Sequence, residues 1–72
     1  MQNFYRYYGK LGIAMMLMAS RNITPEQAWK EIDLVQKKIK LIQKGQYQAK
    51  MSTVLYDDLG LSLDYVVFFL DN

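Results

Sequence analysis

Apolar residues Phe4, Tyr8, Leu11, Met15 and Met18 recur at spacings of four, three, four and three. That is one stripe of an α-helix, and it predicts a helix over about Gln2 to Ala19. Gly12 inside it costs about 1 kcal/mol relative to alanine and points to close approach by a neighbouring element. Ser20, Arg21 and Asn22 break the pattern. Thr24-Pro25-Glu26-Gln27 then supplies a strong start signal: a threonine N-cap, proline in the first helical position and a glutamine able to close a capping box. Ala28, Ile32, Val35, Ile39 and Ile42 follow as an apolar stripe with Trp29 beside it. The opposite face reads Lys30, Asp33, Lys37, Lys40 and Lys44, and the helix is expected to stop after Gln43, at Gly45.

A third helix fits Gln46 to Leu59, with Tyr47, Met51, Val54, Leu55 and Leu59 on its inner side. Gly60 suits the left-handed position just past a helix end. Ser62 is placed to cap a last helix, Leu63 to Leu70. With no repeat, linker or low-complexity segment, these elements predict one all-α domain over residues 1–72. The expected architecture is a small four-helix orthogonal bundle.

Composition narrows the function classes. A chain of 72 residues buries only about 60% of its unfolded surface, so little of its apolar content is spare. At 51% hydrophobic it is too apolar for disorder. Cysteine and histidine are both absent, which removes disulfides, thiolate and imidazole metal ligands, a cysteine nucleophile and the usual neutral-pH general base. Asp57-Asp58 is the only adjacent carboxylate pair, and no second acidic cluster stands at ligand spacing, so no metal or other cofactor is expected. There is no glycine-rich phosphate loop and no serine elbow. An enzyme is therefore not expected, nor a small-molecule substrate.

The longest apolar run, Leu11 to Ala19, is about half of what a membrane-spanning helix needs. Arg6 and Lys10 precede it as in a secretory signal, but aromatic residues crowd that region and the run has helical periodicity. The expected location is the cytoplasm, with no membrane partner. Met15, Met16 and Met18 suit a packed core better than an adaptable binding surface.

Net charge is +2, and its distribution says more than its size. Residues 1–50 hold all nine basic groups against Glu26, Glu31 and Asp33, a net of +6; residues 51–72 hold Asp57, Asp58, Asp64 and Asp71 and no base, a net of −4. The lysines Lys30, Lys37, Lys40 and Lys44, with Lys38 and Lys50 adjacent, form either a solvated face, a phosphate-contacting stripe or a protein contact.

The segment Leu55 to Phe69 has the layout of a helix-turn-helix: Leu55, Leu59, Leu61, Val66 and Phe69 to lock two helices, and Gly60 at the turn. Asp58-Leu59-Gly60-Leu61 resembles the turn of small phage repressors of the Cro type. Tyr56 stands where such motifs hold a small residue, which implies a wider separation of the two helices. The outward positions of the second helix by this alignment are Ser62, Leu63, Asp64, Val67, Phe68 and Asp71. A DNA reader needs Arg, Lys, Gln, Asn, Ser or Thr there. Carboxylates would instead meet a phosphate lattice of their own sign.

Two readings of the segment remain. Either Val66-Val67-Phe68-Phe69-Leu70 fills the core, or Leu63, Val67 and Phe68 meet a protein partner while Asp64 and Asp71 pair with its basic groups. An acidic, apolar face of this kind suits the basic surface of a DNA-binding protein. In length, motif and last helix the chain resembles the small antirepressors of temperate phages of Gram-positive bacteria, the modulator-of-repression proteins. That resemblance implies a protein that binds a phage repressor's DNA-binding domain and blocks operator binding. The alternative is a helix-turn-helix transcriptional regulator that holds DNA through Lys30, Lys37, Lys40 and Lys44.

Overall fold

The computed structural model describes residues 9–70, and all of its regular structure is helical. Three α-helices are followed by one short 3-10 helix: α1 (Lys10–Arg21), α2 (Pro25–Gln43), α3 (Met51–Leu59) and the terminal 3-10 segment (Leu63–Phe68). Each packs mainly on its neighbour in the chain, α1 on α2, α2 on α3, α3 on the 3-10 segment. Phe4, Tyr8 and Asp71, on which part of the sequence reading rests, lie outside the described residues.

Helix α2 forms as its local chemistry requires. The Thr24 hydroxyl accepts from the Gln27 N–H at 3.1 Å, and the Gln27 side-chain oxygen accepts from the Thr24 N–H at 3.0 Å. Two N-terminal donors that the helix leaves unpartnered are thereby satisfied. Ala28, Ile32, Val35 and Ile39 are buried, and Ile42 packs at the core's edge. At the other end Gly45 takes φ +73°, its N–H bonds Ile42 O at 3.0 Å and that of Gln46 bonds Leu41 O at 2.9 Å. This is a Schellman ending.

That ending corrects the expected start of α3. Residues 46–49 stay irregular after this turn, the Ala49 N–H bonding Tyr47 O at 3.2 Å. Lys50 is the extended N-cap, and α3 runs from Met51 rather than Gln46. It stops at Gly60, φ +70°, whose N–H bonds Tyr56 O at 2.9 Å.

The rotation of α1 also differs from the Leu11-Met15-Met18 stripe. Its buried side is Gly12, Ile13, Ala14 and Leu17, while Leu11 is 50% exposed and Met15 is half-buried. The run is apolar on every side, so its periodicity cannot choose a face. Met16 and Met18 pack at the core's edge. Asn22 ends the helix in the left-handed conformation, φ 55°, which asparagine tolerates better than most residues.

The last element is a six-residue 3-10 helix, Leu63–Phe68, where an α-helix to Leu70 was expected. The β-branched pair Val66-Val67 and the aromatic pair Phe68-Phe69 are weak α-helix formers. The Ser62 side chain makes no capping bond. The core drawn from all four elements is closed by Phe69, which is fully buried with Ile13, Leu17, Ile32, Ile39 and Leu55.

Candidate partner-binding surface

The 3-10 repeat sorts the terminal segment into three ridges, because residues three apart eclipse one another. Leu63, Val66 and Phe69 run progressively inward: exposed, half-buried and sealed. Tyr65 and Phe68 share a flank, their rings 6.2 Å apart and tilted by 53°. Asp64 and Val67 share the outward ridge, and both are exposed. Leu63 is 51% and Val67 56% exposed, so two large apolar side chains stand in water within five residues.

The segment is held firmly from beneath. Gln36 Nε2 of α2 donates to Phe69 O at 2.6 Å, and the Lys10 ammonium of α1 donates to Gln36 Oε1 while standing 5.5 Å from the centre of the Phe69 ring. Phe68 lies against Gly9, where a β-carbon would come within 3.5 Å of its ring. Phe68 is half-buried and packs against the core, so it edges the exposed patch and does not stand out from it as Leu63 and Val67 do. Ser62 is exposed beside them.

The helix-turn-helix layout is present in part. Leu55, Leu59, Leu61 and Phe69 are buried as the lock requires, and Val66 is half-buried. Tyr56 is 71% exposed, so it points to solvent and does not wedge the two elements apart as its size suggested. The second element, a six-residue 3-10 helix of about 12 Å at 2.0 Å per residue, is too short for the motif.

Of the lysine stripe, Lys30, Lys37 and Lys44 are exposed, and Lys40 is half-buried and engaged within the structure. Lys38, adjacent to the stripe, is turned to α3: its ammonium bonds Asp58 Oδ2 at 2.7 Å, and that hydrogen bond and charge hold its pKa above the ordinary 10.5, with smaller contributions from Tyr47 and Asp57. Arg21 bridges α1 to both other helices, through Glu31 at 2.5 Å and Asp58 O at 2.9 Å. Glu31, Leu34, Lys38, Asp57 and Asp58 line an open groove of about 380 Å³ between α2 and α3.

Two exposed residues escaped the sequence reading. Leu34 is 52% exposed and Leu41 is also exposed, seven residues apart like Lys30, Lys37 and Lys44. That shared interval was the available signal. Among the described residues no group of three carboxylates could hold a metal ion, and no helix is long and apolar enough to cross a membrane. No protein-family model, curated protein or solved structure matches the chain.

Proposed function

We propose that the chain is a regulatory protein-binding module, an antirepressor that occupies the DNA-binding domain of a phage repressor and keeps it from its operator. The observation that carries this reading is the exposure of Leu63 and Val67 on a segment tied down through Phe69. A preorganised patch loses little conformational entropy on binding. Each of the two side chains still presents about half its surface, so each contributes about 1 kcal/mol when covered. Asp64 on the same ridge as Val67 gives the patch the sign that complements a DNA-binding face. Its role is to set orientation and encounter rate more than affinity. No chemical step, cofactor or small molecule enters this function.

The second reading, direct DNA binding, draws on Lys30, Lys37 and Lys44, which stay in solvent. It is weakened by the short 3-10 segment in the place of a recognition helix, whose outward ridge is Asp64 and Val67. Calorimetric titration of the chain into the isolated DNA-binding domain of a repressor encoded beside it separates the two. Saturable binding that Leu63→Asp and Val67→Asp abolish, with helicity intact by circular dichroism, supports the antirepressor. Binding that survives both substitutions removes the patch from the function.

A further inference from the structure

Two exposed faces of opposite character stand on different elements of this small molecule. One is the Leu63–Val67 patch with its acidic ridge. The other runs along α2, where Lys30, Lys37 and Lys44 recur every seven residues and are all exposed. Two turns of helix separate successive members, about 10.5 Å. Leu34 and Leu41 interleave with them at the same interval. Lys30–Leu34 and Lys37–Leu41 are four apart, and Leu34–Lys37 and Leu41–Lys44 are three apart, so the five side chains are surface neighbours. They form a lattice of two apolar and three cationic groups, turned away from the buried Ala28-Ile32-Val35-Ile39 stripe.

The chemistry of this lattice selects among occupants. A nucleic-acid backbone would use the lysines but leave Leu34 and Leu41 in water, and Asp33, one turn before Lys37, would oppose it. An anionic bilayer takes up a broad apolar face, and two leucines are a narrow one. What fits both rows is a surface with a pair of aliphatic side chains beside carboxylate, and this chain carries one. The carboxylate described beside that pair is Asp64, exposed on the same ridge as Val67.

We infer that the Lys30–Lys44 face of α2 in one copy receives the Leu63–Val67 patch of a second copy, head to tail. Leu34 and Leu41 meet Leu63 and Val67, and the lysine row faces Asp64. The contact joins two different surfaces, so a pair still has one free α2 face and one free patch for further neighbours, and assembly continues to a closed ring or a short chain. Because the anchors are few and only half exposed, the association belongs to the small, transient class and builds up with concentration. It rests on the antirepressor reading only for its consequence: the patch that docks on a repressor is covered in the assembly, so self-association and repressor binding exclude each other.

Sedimentation velocity on the whole chain, from low micromolar to near-millimolar concentration, tests this. The weight-average mass is expected to rise above the 8.5 kDa monomer and to fall back as salt is added. The pair Lys30→Glu with Lys37→Glu, and separately Val67→Asp, should each stay monomeric with helicity unchanged. Mixed in equal amounts they should associate again and stop at twice the monomer mass, since one intact face remains on each. If Val67→Asp loses helicity, Leu63→Asp takes its place. A wild-type chain that stays monomeric throughout overturns the inference, as does assembly that persists in either variant or a monomeric chain whose lysines capture a short DNA duplex or phosphatidylglycerol vesicles. A chain that assembles as described but ignores the repressor sinks only the antirepressor function. A chain that binds the repressor and never self-associates sinks only this inference.

Discussion

Helix α2 and the terminal 3-10 segment bury side chains in the same core, yet they are specified in different ways. In α2 the polar and apolar positions alternate at helical spacing, and the start and stop are written locally, in the Thr24–Gln27 box and at Gly45. In the terminal segment every residue from Tyr65 to Leu70 is apolar or aromatic, and no side chain caps it. What orders that segment is tertiary: Phe69 in the core, Gln36 on its carbonyl and Lys10 beside its ring. An element held from outside can leave part of its apolar surface uncovered. Leu63 and Val67 are what it leaves.

The sharpest way to break this contrast is to substitute neighbours within the segment. Phe69→Ala removes a fully buried aromatic side chain and should cost about 3–5 kcal/mol. A domain of this length has about 4–11 kcal/mol of total stability, so the loss is a large share of it. Val67→Ala, two residues earlier, should stay within about 0.5 kcal/mol of wild type. Urea unfolding followed by circular dichroism reads both, and equal costs would mean that Val67 belongs to the core after all.

The local specification of α2 can be tested more gently. Thr24→Ala removes one half of the capping box and should lower stability by about 1 kcal/mol in the same titration. Gly60→Ala forces a β-carbon into a backbone with φ +70° and should cost about 1 kcal/mol, although the space beside it is open. A neutral result at Gly60 would mean the turn relaxes to negative φ.

The smallest expected effect is the Lys38–Asp58 pair that joins α2 to α3. The folded-state pKa of Lys38 is raised by Asp58, so its contribution is fully present below the ordinary value of 10.5 and is lost as pH rises through the folded value. The pair is solvent-accessible, and its effect is correspondingly slight. Lys38→Met should therefore flatten the alkaline limb of the stability profile and leave the neutral region almost unchanged. A loss of stability at neutral pH comparable with that of Thr24→Ala would show that the pair does more than fasten two surface turns.

These elements also show what could be read in advance. The all-α class, the limits of α2 and its buried stripe follow from periodicity and capping, both local. The face that α1 buries does not, because Leu11 to Ala19 is apolar on all sides and only packing against α2 selects Ile13, Ala14 and Leu17. Nor does the late start of α3, since residues 46–49 stay irregular after the turn that ends α2 although Tyr47 continues the apolar spacing. The choice of a 3-10 form over an α-helix reflects β-branching and core fit together. Of the expected surface, Ser62, Leu63, Asp64 and Val67 are exposed, and Phe68 is turned partly inward against Gly9. The groove between α2 and α3 had no local signal, since Leu34 and Asp57 are far apart in sequence.

The central claim is that Leu63 and Val67 form a docking surface for a repressor's DNA-binding domain. A gel-shift with that repressor prebound to its operator, titrated with the chain at moderate salt, tests it most directly. The wild-type chain should release the DNA without shifting it alone, and Val67→Asp, folded as wild type, should leave the repressor in place. If Val67→Asp releases the operator as readily as wild type, or if the chain by itself retards the DNA in a salt-sensitive way, the claim is contradicted.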